Sequence, residues 1–95
     1  MTLEDQYKLL VECYHGILLM NEYDLKEYAL KRVEELIKNF ESNYINVPFE
    51  EIKEHVKKNV SDKTKLQSAL IVLNSINYDM ELILLIKEKI KKTCK

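Results

Sequence analysis

A chain of 95 residues, 46% hydrophobic and 33% charged, is one folded domain rather than a disordered segment. A single Gly and a single Pro leave few chain breaks, which favours long helices over a many-turned sheet. The net charge of −1 excludes a strongly basic domain, and the two cysteines, Cys13 and Cys94, are too few for a disulfide framework.

In chain order, a first helix is expected from Leu3 to Met20, with Thr2 as N-cap and Asp5 in the first turn. Leu3, Tyr7, Leu10, Tyr14 and Ile17, widened by Val11 and Leu18, form one apolar stripe. A second seam runs beside it through Leu9, Cys13, Gly16 and Met20. Gly16 is the only glycine and sits mid-helix, where it costs ~1 kcal/mol against Ala. A residue that small admits another backbone, either inside the bundle or from a second copy of the chain.

Asp24 is expected to cap a second helix that ends near Glu41, with Glu27 closing a capping box and Tyr23 stapling onto Tyr28. Leu25, Ala29, Val33, Leu36 and Phe40, flanked by Leu30 and Ile37, form its apolar stripe. Glu27, Lys31, Glu34, Lys38 and Glu41 form a solvated face whose charges alternate at helical spacing. Ser42 to Val47 read as the longest loop, with Tyr44 uncommitted there. Pro48 then opens a short helix carrying Phe49, Ile52, Val56 and Val60.

Ser61 or Asp62 caps a fourth helix that ends near Ile76, with Leu66, Ala69, Leu70, Leu73 and Ile76 inward. Asp79 caps a fifth from Met80 to Lys92, with Leu82, Ile83, Ile86 and Ile90 inward and Tyr78 stapled onto Ile83. Leu66–Ile90 is the greasiest stretch and is expected to be the frame on which the other helices pack. The fold class is all-α: a compact bundle of four longer helices and one short one, built from two antiparallel αα-hairpins over residues 1–95. Ile71, Leu84 and Leu85 fall outside the inward stripes on a helical wheel.

Catalytic and metal motifs are weak. Glu12 and His15 make a single Glu-x-x-His step, expected on the polar side of the first helix, where a di-metal bundle needs two such steps and further carboxylates. Cys13 and His15 are two apart and cannot face each other. Glu51 and His55 share a helix face without further ligands. No Gly-rich phosphate loop is present, and Arg32 is the only arginine. Neither an enzyme nor a cofactor is therefore expected.

Residues 1–50 carry ten acids and five bases, hence −5; residues 51–95 carry six acids and ten bases, hence +4. The two halves either neutralise each other or present faces of opposite sign. The function expected from these features is non-enzymatic binding of another protein, of inhibitor, immunity or regulatory-adaptor type. Ile71, Leu84 and Leu85 would anchor a partner of basic character, and Glu22, Glu27, Glu34, Glu35 and Glu41 would form an acidic rim. Two alternatives follow from the same residues. One is self-association, as a homodimer or structural oligomer, through Leu9, Cys13, Gly16 and Met20. The other is a helix-turn-helix-like DNA regulator over residues 49–73, with Lys53, Lys57, Lys58, Lys63 and Lys65 supplying charge and Gln67 and Ser68 reading base edges. Nucleic acid is the lesser expectation, because the turn glycine and recognition arginines are missing. The basic tail Lys87–Lys95 stabilises a helix C-terminus without needing a ligand.

The longest apolar runs, Ala69–Leu73 and Leu82–Ile86, have five residues each, well short of the ~18 that span a bilayer. The acidic start lacks the basic opening of a secretory signal, so a cytoplasmic location with reduced thiols is expected.

Overall fold

The computed structural model describes residues 1–21 and 23–93. Five helices occur among them: α1 (Leu3–Leu18), α2 (Lys26–Asn43), α3 (Phe49–Asn59), α4 (Asp62–Ser75) and α5 (Met80–Thr93). They form the expected all-helical bundle. Helix α1 packs against α2, α3 and α4, and α5 lies on α4. The frame is therefore α1, not the α4–α5 hairpin. The two adjacent apolar seams of α1 wrap most of its circumference, so it needs neighbours on several sides, whereas α5 has only one deep stripe.

Local signals set most boundaries. The Thr2 hydroxyl accepts from the Asp5 amide at 3.1 Å, and the Asp5 carboxylate accepts from the Thr2 amide at 3.4 Å, a complete capping box. The Ser61 hydroxyl caps α4 by accepting from the Thr64 amide at 3.2 Å. The α4 C-terminus closes in a Schellman turn. There the Tyr78 amide donates to the Leu73 carbonyl at 2.9 Å and the Asn77 amide to the Asn74 carbonyl at 3.2 Å. Asn77 takes the left-handed conformation this turn needs, with φ 52°.

The start of α2 departs from expectation. The helix begins at Lys26, Leu25 occupies the cap position, and no side chain caps it. Tyr23 does not staple onto Tyr28. It is buried in the main core, and its hydroxyl donates to Asp79 at the other hairpin's turn. Burying the ring and bonding it across hairpins outweighs a local cap worth ~1 kcal/mol. Asp79 also caps α5, accepting from the Glu81 amide at 2.9 Å.

Two apolar clusters fill the interior. The larger joins Cys13, Ile17 and Met20 of the α1 end, Ala29 and Val33 of α2, Leu66, Ala69, Val72 and Leu73 of α4, and Leu82, Ile83 and Ile86 of α5. The smaller joins Tyr7, Val11, Val47 and Val56, with Ile37, Phe40, Phe49, Ile52 and Val60 around it. In the latter the Tyr7 ring stacks at 4.6 Å on Phe49 and 5.5 Å on Phe40, centroid to centroid. Tyr44 is not uncommitted: its ring lies 4.7 Å from Phe40.

The α1–α4 contact is the closest in the fold. A Cβ at Gly16 would overlap the Lys65 backbone carbonyl and lie 3.1 Å from the Ala69 Cβ. Cys13, Gly16 and Met20 are buried there, and Leu9 is half-buried against the main core. The seam considered for self-association is therefore occupied within a single chain, because α4 fills it. Glu12 is likewise buried, not on a polar side; its carboxylate accepts a 2.6 Å hydrogen bond from the Ser68 hydroxyl, with Lys8 at 3.8 Å.

Gly16→Ala is expected to lower the melting temperature. Its gain in helix propensity is ~1 kcal/mol, while forcing a methyl against backbone costs about 1–3 kcal/mol. Gly16→Leu is expected to abolish folding rather than alter mass in solution; circular dichroism with light scattering checks both. Asn77→Ala should cost about 1–2 kcal/mol and Asn77→Gly nothing, read from urea midpoints.

Candidate functional site

The Tyr23–Asp79 hydrogen bond brings the α1–α2 turn beside the α4–α5 turn, so both hairpins turn at one end of the bundle. Around these turns the first hairpin exposes Leu18, Leu25 and Tyr28, and the second exposes Met80 and Leu84. Tyr28 is 68% exposed, Met80 62% and Leu84 55%. Met80 and Leu84 are one turn apart on the same face of α5, and Leu25, at the N-cap of α2, lies three residues before Tyr28. The charged groups around them are Asp24, Glu27, Asp79 and Glu81 against Lys31, which lines a groove with Glu27 and Tyr28, and Lys26, whose ammonium donates to the Leu18 carbonyl at 2.9 Å. Hydrogen bonds from Tyr23 and from the Glu81 amide hold the Asp79 carboxyl below the usual carboxylate range.

The anticipated anchor and rim are placed unevenly. Ile71 is 56% exposed and Leu84 is open, but Leu85 is half-buried against the main core. Glu27 is exposed, and Glu35 is exposed with Arg32 at 3.5 Å. Glu34 and Glu41 do not stand in a solvated face. They are half-buried, Glu34 accepting from the Tyr14 hydroxyl at 3.1 Å and Glu41 from the Tyr7 hydroxyl at 2.5 Å. Tyr7, buried, and Tyr14, half-buried, are carried on α1, and α2 supplies an acceptor for each hydroxyl. Glu22 and Cys94 lie outside the described residues. Leu18, Leu25, Tyr28 and Met80 were not singled out from the sequence. Helical spacing pairs Met80 with Leu84, but no local signal shows that the two turns meet.

A second feature is a cleft of about 300 Å³ between α1, α2 and α3. Val11 and Ile37 form its apolar part, Tyr14 and His15 one wall, and Lys38, Lys53 and Lys57 stand around it. Lys53 pairs with Glu41 at 2.9 Å, the one ion pair between helices among the described residues. Burial, followed by Lys65 and Lys57, lowers the His15 pKa from its ordinary value, so the ring is neutral at pH 7. Burial and the carboxylates that accept from them push the Tyr7 and Tyr14 hydroxyls up, so both remain protonated donors. Burial pushes the Cys13 thiol up to about 12. His55 shares a 3.3 Å hydrogen bond with Asn59.

For the DNA reading, Lys57, Lys58 and Lys63 are exposed, and so is Gln67. Ser68 is buried and donates to Glu12, so it cannot reach a base edge. Helices α3 and α4 make their main contacts with α1 rather than with each other. Among the described residues, no helix is long and apolar enough to cross a membrane, and no three His, Cys, Asp or Glu side chains gather to hold a metal ion.

Comparison with known proteins returned no match to any family model, curated protein or solved structure.

The Tyr7–Glu41–Lys53 link makes stability depend on pH. Burial by itself would raise the Glu41 pKa, but the Tyr7 and Lys53 hydrogen bonds outweigh it and the net shift is downward from 4.5. A lowered folded pKa adds stability above the unfolded value that is lost as pH falls through the folded one. Tyr7→Phe is therefore expected to cost about 1–2 kcal/mol at pH 7. Its deficit against the parent chain should shrink below pH 4.5 as Glu41 protonates. Thermal melts of both chains across that range test this.

Proposed function

We propose that this chain is a small non-enzymatic protein-binding module, of inhibitor, immunity or regulatory-adaptor type. Its docking surface in this reading is the end of the bundle where the two hairpin turns meet. The observation that carries this is the gathering there of Leu18, Leu25, Tyr28, Met80 and Leu84 in solvent, beside four carboxylates and two lysines, one of them bonded to a carbonyl. Isolated exposed apolar residues are ordinary, but several large ones gathered at one end with polar and charged groups around them are the usual composition of an interface. Tyr28 would be the aromatic anchor, Met80 and Leu84 the adaptable apolar contacts, and Asp24, Glu27 and Glu81 the groups that steer a basic partner. Ile71 would extend the surface along α4. A cytoplasmic protein is the natural setting for this reading.

The test is site-specific crosslinking in the native host. A photoreactive residue at position 28 or 84 is expected to give a discrete adduct, with a yield that falls as salt rises. One at position 63, on α4, is expected to give none. Leu84→Lys with Met80→Lys should abolish the adduct from position 28 with little change in melting temperature, because both side chains are exposed. Equal adducts from all three positions, or none from 28 and 84, would remove the proposal. An adduct of twice the chain mass would identify the partner as a second copy.

A further inference from the structure

We propose that the cleft between α1, α2 and α3 binds a small organic anion, a carboxylate or phosphate carried on a compact apolar body. Its volume of about 300 Å³ is at the lower end of ligand pockets. Val11 and Ile37 offer an apolar bed, and the Tyr14 ring closes one side. The polar groups around this bed are not balanced in their commitments. Glu34 accepts from Tyr14, Glu41 from Tyr7 and Lys53, and Glu54 is 3.4 Å from Lys58. The lining thus holds three carboxylates and three lysines. Each carboxylate is hydrogen-bonded or ion-paired, while Lys38, which acts on Glu41 through space, and Lys57 form no ion pair among the described residues.

His15 lies among these charges. It shares the cleft with Glu34, Lys38 and Glu41 of α2 and with Lys53, Glu54 and Lys57 of α3. Burial is the main cause of its lowered pKa, followed by Lys65 of α4, which is outside the cleft lining, and then by Lys57. An anion seated between Lys38 and Lys57 would be held by charge-assisted hydrogen bonds from two sides. The neutral imidazole could donate a further hydrogen bond without the repulsion a carboxylate would bring. The apolar bed selects against bare inorganic ions, and the lysines select against neutral molecules of the same shape. This site is independent of the surface at the hairpin turns.

Benzoate and phenyl phosphate are suitable probes, with inorganic phosphate and benzyl alcohol as controls, followed by NMR of the His15 ring protons and by calorimetry. Saturable binding of benzoate or phenyl phosphate in the roughly millimolar range is expected, with the His15 pKa rising because a nearby negative charge favours the imidazolium. Inorganic phosphate and benzyl alcohol should bind at least about tenfold more weakly. Lys38→Gln with Lys57→Gln should weaken benzoate binding by roughly tenfold while leaving the melting temperature unchanged, since both side chains are exposed. The proposal is overturned if neither aromatic anion saturates, if benzyl alcohol binds as well as benzoate, or if the double variant binds like the parent chain.

Discussion

The contact between the Gly16 backbone and the Lys65 carbonyl sets the geometry of the whole bundle. It lets α1 and α4 approach more closely than two helices with side chains between them could. At that separation the α1 face toward α4 has no room for water. Glu12 is enclosed with it, and a buried carboxylate is tolerable only with a partner. Ser68 is that partner, one turn beyond Lys65 on α4 and one turn before Gly16's level on α1. A small residue, a buried acid and a serine thus form one arrangement, and each of the three makes sense only beside the other two.

Three tyrosines complete the tertiary framework. Tyr7 reaches Glu41, Tyr14 reaches Glu34 and Tyr23 reaches Asp79, each joining segments far apart in sequence. The first two tie α1 to α2, and the third ties the two hairpins at their turns. Each lets an aromatic ring remain in apolar surroundings while its hydroxyl is satisfied at the edge of the core. They also redistribute charge. Glu34 and Glu41 are half-buried, while Glu4, Asp5, Asp24, Glu27, Glu35 and Glu50 keep the acidic character of the first half at the surface. Across the smaller cluster, Lys53 meets Glu41, the point where the oppositely charged halves of the chain neutralise each other directly.

The proposed binding surface follows from this economy of positions. Pulling Tyr23 inward to Asp79 leaves Leu25 and Tyr28 on the outside of α2 and sets them at the same end as Met80 and Leu84. A shorter turn with Asp24 as cap would have buried Tyr28 against Tyr23 and removed the aromatic from that end. The cleft between α1, α2 and α3 is lined by Val11 and Ile37 together with charged side chains of α2 and α3.

The amino-acid pattern alone determined five helices, most of their ends and most of the inward faces. These depend on neighbours in sequence: Thr2 with Asp5, Ser61 with Thr64, the apolar spacing of α3, α4 and α5. It also determined that Ile71 and Leu84 would be left outside, since a helical wheel needs no partner to be read. Only the tertiary structure decided which helix is central, because α1's two seams look optional until α4 fills one of them. Only it decided that Glu12, Glu34 and Glu41 turn inward, that Leu85 is covered, and that the α1–α2 turn sits against the α4–α5 turn. Those outcomes depend on hydrogen bonds between residues 20 to 56 positions apart, and no local pattern specifies such pairs.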